Sequence, residues 1–352
     1  MTVTFGEFIS QTISNPALLV TVLLTLGVIF VNGWTDAPNA IATCVSTRSM
    51  KVRSAIAMAA VANFLGVFVM TAVNSTVAQT IFNMVSFGGS TEKAVVALSS
   101  AMGAIVIWSV AAWSFGIPTS ESHALIAGLS GAAVCVNGGL SGINFYEWGK
   151  VLAGLLLSAF LGFGMGWLTA KLTGSLFKKF SRRRSSEAFR KAQIFGGGAM
   201  AFMHGAQDGQ KFMGVFLLGI FLAGGKSSDK FVVPFWLVLL CSATMSLGTS
   251  VGGYRIIRSV GMGMVHMEKY EGFCADTAGA LCLLISSFSG IPVSTTHTKT
   301  TAIMGVGAAK RLSAVNWRAV KDMALAWIFT FPACAFLGWL TAKIFLSINF
   351  TN

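Results

Sequence analysis

Apolar residues fall in long blocks, each closed by a short polar or glycine- and proline-bearing stretch. About ten blocks lie near 17–45, 53–73, 95–115, 118–136, 147–173, 194–221, 231–251, 272–290, 293–309 and 322–346. Most approach or exceed the roughly 20 residues with which a helix crosses the hydrocarbon core of a bilayer. The pattern predicts an all-α polytopic membrane protein. The first and sixth blocks are longer than a bilayer requires and are interrupted by polar residues. The fourth and ninth are short, sit at Pro118 and just after Pro292, and fit re-entrant hairpins as well as full spans.

The polar interruptions repeat. Phe30-x-Asn32-Gly33-x-x-Asp36 returns as Phe202-x-His204-Gly205-x-x-Asp208, at an offset of 172. Gly116-Ile117-Pro118-x-Ser120-x-x-His123 returns as Gly290-Ile291-Pro292-x-Ser294-x-x-His297, at an offset of 174. Two matches in the same order and at nearly one offset point to a duplication. Residues 1–176 and 193–352 are then two repeats of about five spans each, flanking a basic loop at 177–192. An odd number of spans per repeat turns the second repeat over relative to the first. Inverted repeats with interrupted helices are a recurring plan of secondary transporters, with the substrate held near the midplane.

Composition fixes the solvent. Of 352 residues 54% are hydrophobic and only 11% charged, with a mean hydropathy of +0.73, whereas a soluble domain carries about a quarter charged residues. A net charge of +13 would suit nucleic acid, but the basic residues sit in short clusters between apolar blocks. The densest is Lys178, Lys179, Arg182, Arg183, Arg184, Arg190 and Lys191. Positive residues concentrate in cytoplasmic loops, so this loop is expected inside a cytoplasmic (inner) membrane, with both termini outside and no nucleic-acid partner. The cysteines Cys44, Cys135, Cys241, Cys274, Cys282 and Cys334 are scattered without CxxC spacing and read as small hydrophobes. Met1 to Gln11 has no basic segment of a cleaved signal peptide.

The repeated motifs carry the chemistry. Asp36 and Asp208 each put a carboxylate into an apolar block, where a charge costs at least about 2.5 kcal/mol and marks an ion or substrate path. Gly33, Gly205, Gly209 and Pro38 are expected to loosen both helices and free carbonyls for a coupling cation. A structural acid paired with a bundle lysine is the plainer alternative. Ser120, Glu121, Ser122 and His123 match Ser294, Thr295, Thr296 and His297. Hydroxyls at a helix N-terminus cap the helix or cradle an anion, and two such ends brought together would surround an oxyanion. His123, His204 and His297 suit proton transfer or hydrogen-bonded packing. Lys211 follows Asp208 by three residues and shares its helix face, so it can pair with Asp208 or Glu121 or meet the anion. Lys299 reads as a snorkelling side chain or a lining of the second cradle. Asp276 has no acidic counterpart in the first half; its counterpart at 174 residues is Met102.

These residues resemble a known family. Asn32-Gly33-Trp34-Thr35-Asp36-Ala37-Pro38-Asn39-Ala40 is similar to the GANDVANA-like signature of the inorganic phosphate transporter (PiT) family. Gly290 to His297 resembles its second-half signature, and Pro118 to His123 the first-half version. His204 to Gly214 is similar to the HGANDGQK form of some bacterial members. The resemblance implies a cation-coupled phosphate symporter of the bacterial low-affinity type, usually dimeric. It implies that Asp36, Asn39 and Asp208 serve the cation and phosphate site and that Ser120, Ser122, Ser294, Thr295 and Thr296 donate to the anion. As charges inside apolar blocks, Lys211 is expected with Asn39 and the hydroxyls at phosphate, and Glu121 and Asp276 with Asp36 and Asp208 in cation or proton coupling; Lys211 and Glu121 depart from the family pattern. Lys211 stands where the second asparagine of the signature is expected, and a fixed charge there replaces a bound Na⁺. Proton coupling is therefore expected over sodium, with no cofactor and no certain metal site. The substrate is free phosphate or its complex with a divalent metal.

Phosphate at neutral pH still offers a proton to a carboxylate, which sulfate cannot do; a sulfate symporter of the same fold is the nearest alternative. A channel needs a continuous polar path, and the polar residues instead gather at mid-span. Ser, His and Asp are present without GxSxG or HExxH spacing, which argues against an enzyme.

Overall fold

The computed structural model describes residues 3–116, 119–179, 182–224 and 231–350, without the side chains of 182–184, 262, 349 and 350. Among the described residues there is no strand, only helices and two isolated bridges, Val85 to Ile143 and Val265 to Val315.

A short α1 (Phe5–Ser14) is closed at its start by a reciprocal Thr4–Glu7 capping box. Asn15 caps α2 (Pro16–Thr35), whose first residue is proline. The helix breaks at Asp36 and Ala37, and α3 (Pro38–Ser46) follows. Pro38 has no N–H to carry the ladder through, so Asp36 sits at a broken helix as the sequence predicts.

The second-half counterpart differs. After α4 (Val52–Val73), α5 (Thr76–Phe82), α6 (Thr91–Ser114), α7 (Glu121–Asn137) and α8 (Phe145–Leu176), the chain forms α9 (Arg182–Gly224), one helix of 43 residues. The expected interruption at Gly205 and Gly209 is thus absent. Gln210 stands at the position of Pro38, and its backbone N–H keeps the ladder intact. The glycines serve packing: a Cβ at Gly205 would strike the backbone of Asn63, and one at Gly209 the side chain of Val67, both on α4.

The chain continues through α10 (Phe235–Val251), α11 (Tyr254–Gly263), α12 (Lys269–Phe288), α13 (Thr295–Lys310) and α14 (Trp317–Phe350). Among the described residues six helices are long and apolar enough to span, or up to seven if α10 and α11, bent by 75°, are taken as one. The bend falls at Gly252, whose φ of +77° a side chain rarely adopts. The two expected hairpin candidates are α7 and α13, of 17 and 16 residues, both short of the roughly 20 that a crossing needs.

Those two short helices are enclosed by protein. Glu121 through Ala133 and Thr295 through Val306 are buried without a gap. Each docks on a long helix of the other half. On α7, Gly131 lies against the backbone of Ala335, and Gly338 of α14 against the backbone of Gly128. On α13, Gly305 lies against the backbone of Phe163, and Gly166 of α8 against that of Ala302. In lipid, such small-residue contacts replace the hydrophobic drive that holds soluble helices together.

The surrounding connections recur as well. Gly116 and Gly290 both hold left-handed backbone, at φ +68° and +66°. Asn144 N–H donates to Met84 O, and Asn316 N–H to Met264 O, each at 3.0 Å. The local geometry that presents α7 is therefore rebuilt for α13. Ile117 and Pro118 of the first-half motif lie outside the described residues.

Candidate functional site

Four helix segments converge where the motifs predict: the α2–α3 break, the middle of α9, and the first turns of α7 and α13. Ser120 and Ser294 cap these last two helices, accepting from the N–H groups of His123 at 3.4 Å and His297 at 3.1 Å. The two caps touch, with Ser294 Oγ bonded to Ser120 Oγ at 2.8 Å. Both helix N-termini thus point at one another across a buried junction. Their first-turn N–H groups carry the positive pole of the helix dipole.

Around this junction lie three carboxyls and one ammonium. Asn39 Nδ2 donates to Asp36 Oδ1 at 2.6 Å and to Thr296 Oγ1 at 3.1 Å, and the Thr296 hydroxyl donates to Asp36 Oδ1. Asp208 receives Asn32 Nδ2 at 3.2 Å, Thr295 Oγ1 at 3.1 Å and Lys211 Nζ at 2.6 Å. Glu121 accepts the hydroxyl of Thr35. Lys211 Nζ, with no exposure, also donates to Ser122 Oγ at 2.7 Å and to Val293 O at 2.5 Å. Its ammonium sits in a cage of three protein oxygens, the kind of cage that a hard cation takes. One ammonium cannot neutralise three carboxylates in a low-dielectric interior. The excess favours partners that bring positive charge or protons.

Acceptor oxygens remain unused within this cluster. Asp36 Oδ2, Asn32 Oδ1 and Asn39 Oδ1 have no hydrogen-bond partner among the described residues. One ligand atom each from Asp36, His204 and Asp208 lie within 4.8 Å of one another, a spacing compatible with shared ligation of a cation. His204 Nδ1 meets Asn63 Oδ1 at 2.8 Å, while its Nε2 faces Asp208 Oδ2 at 3.5 Å. The rings of His123 and His297 meet edge-on with centroids 4.4 Å apart, beside Trp327.

Ten sequence-predicted residues are brought together: Asp36, Asn39, Ser120, Glu121, Ser122, Asp208, Lys211, Ser294, Thr295 and Thr296. Asp276 is not among them. It pairs with Lys299 and accepts Thr43 Oγ1 at 2.5 Å, in a separate buried cluster. Lys299, which holds it, is buried and bonded to Asp276 and Thr43, and so neither snorkels nor lines the cradle. Sequence reasoning missed Thr35, Asn63 and the Val293 carbonyl. Thr35 adjoins Asp36 and was visible only as a neighbour, whereas Asn63 carried the signal of a lone amide in an apolar span.

The phosphate transporter family profile matches residues 32–185 and 177–338. A Bacillus subtilis protein described as "Probable low-affinity inorganic phosphate transporter" is 35% identical over 91% of this chain and 96% of its own length. A Rhizobium meliloti protein of the same description is 38% identical over 94% of this chain and 96% of its own. Among solved structures, one described as "The sodium-dependent phosphate transporter" superposes with a TM-score of 0.86 at 23% identity, covering 94% of this chain and 99% of that one.

Proposed function

The chain belongs to the phosphate transporter family, and from that premise we propose that it is a proton-coupled symporter of inorganic phosphate in the cytoplasmic membrane. The carrying observation is the Lys211 ammonium, caged by Asp208, Ser122 and the Val293 carbonyl where a coupling Na⁺ would need oxygen ligands. A cation fixed to the chain leaves protons to move the remaining charge. Asp36 and Glu121 are the carboxyls without an ammonium partner, and they are the proton carriers of this reading. The hydroxyls of Ser120, Ser122, Ser294, Thr295 and Thr296, with Asn39 and Lys211, are the donors to phosphate. Phosphate retains a proton that Asp36 can accept in a hydrogen bond, which favours it over sulfate.

Two inverted repeats, 1–176 and 193–352, rocking about this junction would expose it alternately to each side. The recurring cap, left-handed glycine and asparagine clasp support the repeat. The basic loop is assigned to the cytoplasm, and the motif resemblance supports a homodimer.

The test is labelled phosphate uptake into proteoliposomes under imposed H⁺ or Na⁺ gradients. A pH gradient is expected to drive uptake, with Asp36→Asn losing it and Lys211→Asn acquiring Na⁺ dependence. Uptake that requires Na⁺ and ignores the pH gradient would overturn proton coupling. Competition by sulfate at equal concentration would move the substrate assignment to a general oxyanion. A requirement for Mg²⁺ or Ca²⁺ would identify the metal complex as the transported species.

A further inference from the structure

The cluster around Lys299 lies outside the site described above, and nothing in the proposed coupling uses it. Lys299 and Asp276 have no exposure, and they pair directly. Lys299 Nζ also reaches Thr43 Oγ1 at 3.1 Å. Cys44 Sγ lies 3.8 Å from Asp276 Oδ2 and 3.4 Å from Gln193 O. Both main helices of this cluster also serve the central site. Asp36, Asn39, Thr43 and Thr47 recur along one face of the chain entering and following α3. On α13, Thr296 meets Asp36 and Lys299 follows one turn later.

The polar line goes on. Thr47 Oγ1 and Ser49 Oγ donate to Gln193 Oε1 at 2.8 and 2.5 Å. Thr47 borders a cavity of about 500 Å³ that Lys178, Ser186 and Lys269 also line, at the basic-loop end of the molecule. A second observation points to a ligand here. Gln193 is fully buried, yet its Nε2 donor has no partner among the described residues. The space for that amide exists because residue 272 is glycine; a Cβ there would strike Gln193. The Lys299 ammonium has one carboxylate and one hydroxyl for its three N–H groups, and the Gln193 amide donor has no partner among the described residues, so these donors are short of acceptors, and a phosphate supplies four.

We propose that Lys299, Gln193, Thr43 and Thr47 form a second phosphate station between the central site and the basic cavity, held shut by Asp276. Phosphate leaving Asn39 and Thr296 reaches Lys299 by displacing the Asp276 carboxylate, which releases the Thr43 hydroxyl as a further donor to the anion. It then passes Thr47 and Gln193 to the cavity. No bond is made or broken other than hydrogen bonds and the ion pair. This step rests on the phosphate-transport reading, and its test separates the two.

Equilibrium binding of labelled phosphate to the wild-type protein in nanodiscs comes first; no binding there would sink the transport reading itself. The paired variant Asp276→Asn with Lys299→Met removes both charges and leaves neither stranded. Its phosphate binding at the central site is expected to persist, while uptake falls about 10-fold or more, the worth of one hydrogen bond to a charged group. Binding and uptake both at wild-type level would overturn the station. Cys44, kept as the sole cysteine, gives a second reading that needs no transport. A small thiol reagent supplied from the basic-loop side should modify it faster in Asp276→Asn, and phosphate should protect it. Modification unaffected by both the variant and phosphate would reduce the pair to a structural role.

Discussion

Lys211 is the residue on which the central site turns. Its ammonium is wholly buried and bonded to Asp208 at 2.6 Å. Removing one partner of such a pair strands the other in a medium that cannot solvate it. Lys211→Met is therefore expected to destabilise the protein by about 3–5 kcal/mol, seen as a large fall in the thermal unfolding midpoint in detergent. Adding Asp208→Asn should recover most of that midpoint without recovering uptake. Full recovery of both would make the pair a packing device. Thr296→Val is milder, removing a donor to Asp36 and the acceptor of Asn39. It should cut uptake about 10-fold while leaving the midpoint near wild type. Most of these partners were legible from sequence because chemistry and duplication coincided at them. What could not be read was pairing between helices. Lys211 and Asp208 lie three residues apart on one helix, so their contact followed from helical spacing. Lys299 and Asp276 lie on different helices, and only the packing of α12 against α13 brings them together.

At the scale of elements, glycine decides how closely helices approach. A Cβ at Gly305 would collide with the carbonyl of Phe163, where α13 docks on α8, whereas one at Gly164 would meet nothing. Gly305→Ala should therefore lower thermal stability by about 1–3 kcal/mol. Gly164→Ala on exposed α8 should leave it unchanged or raise it by about 0.4–1 kcal/mol. Equal effects at both positions would show that backbone contact is not what fixes α13. The sequence displayed these glycines without distinguishing two uses. At Pro38 the helix breaks because a donor is missing, whereas at Gly205 and Gly209 it continues unbroken and those glycines admit α4. Hydropathy located nearly every block, yet block length alone left the short α7 and α13 open between span and hairpin. Their burial on all sides comes from tertiary packing, and apolar and polar residues alike are enclosed there.

For the molecule as a whole, charge and length together set an orientation that labelling can check. The α8 helix has 32 residues and at roughly 1.5 Å per residue is longer than the roughly 30 Å core. Its ends must emerge on opposite sides if it crosses. Ser141 is exposed just before α8, and Ser186 is exposed beside Phe177 at the far end, lining the same cavity. Lys178, Lys179, Arg190 and Lys191 gather at that second end, which the positive-inside rule assigns to the cytoplasm. In a background without native cysteines, Ser141→Cys should react with an impermeant maleimide in right-side-out vesicles, and Ser186→Cys only after inversion. Labelling of both from one face would mean that α8 does not cross. Labelling in the reverse order would put the basic loop outside, and the Lys299 station would then serve entry of phosphate instead of its release. The orientation is thus the quantity on which the direction of the whole polar line from Asp36 to Thr47 depends, because the line itself is fixed by contacts that do not change with it.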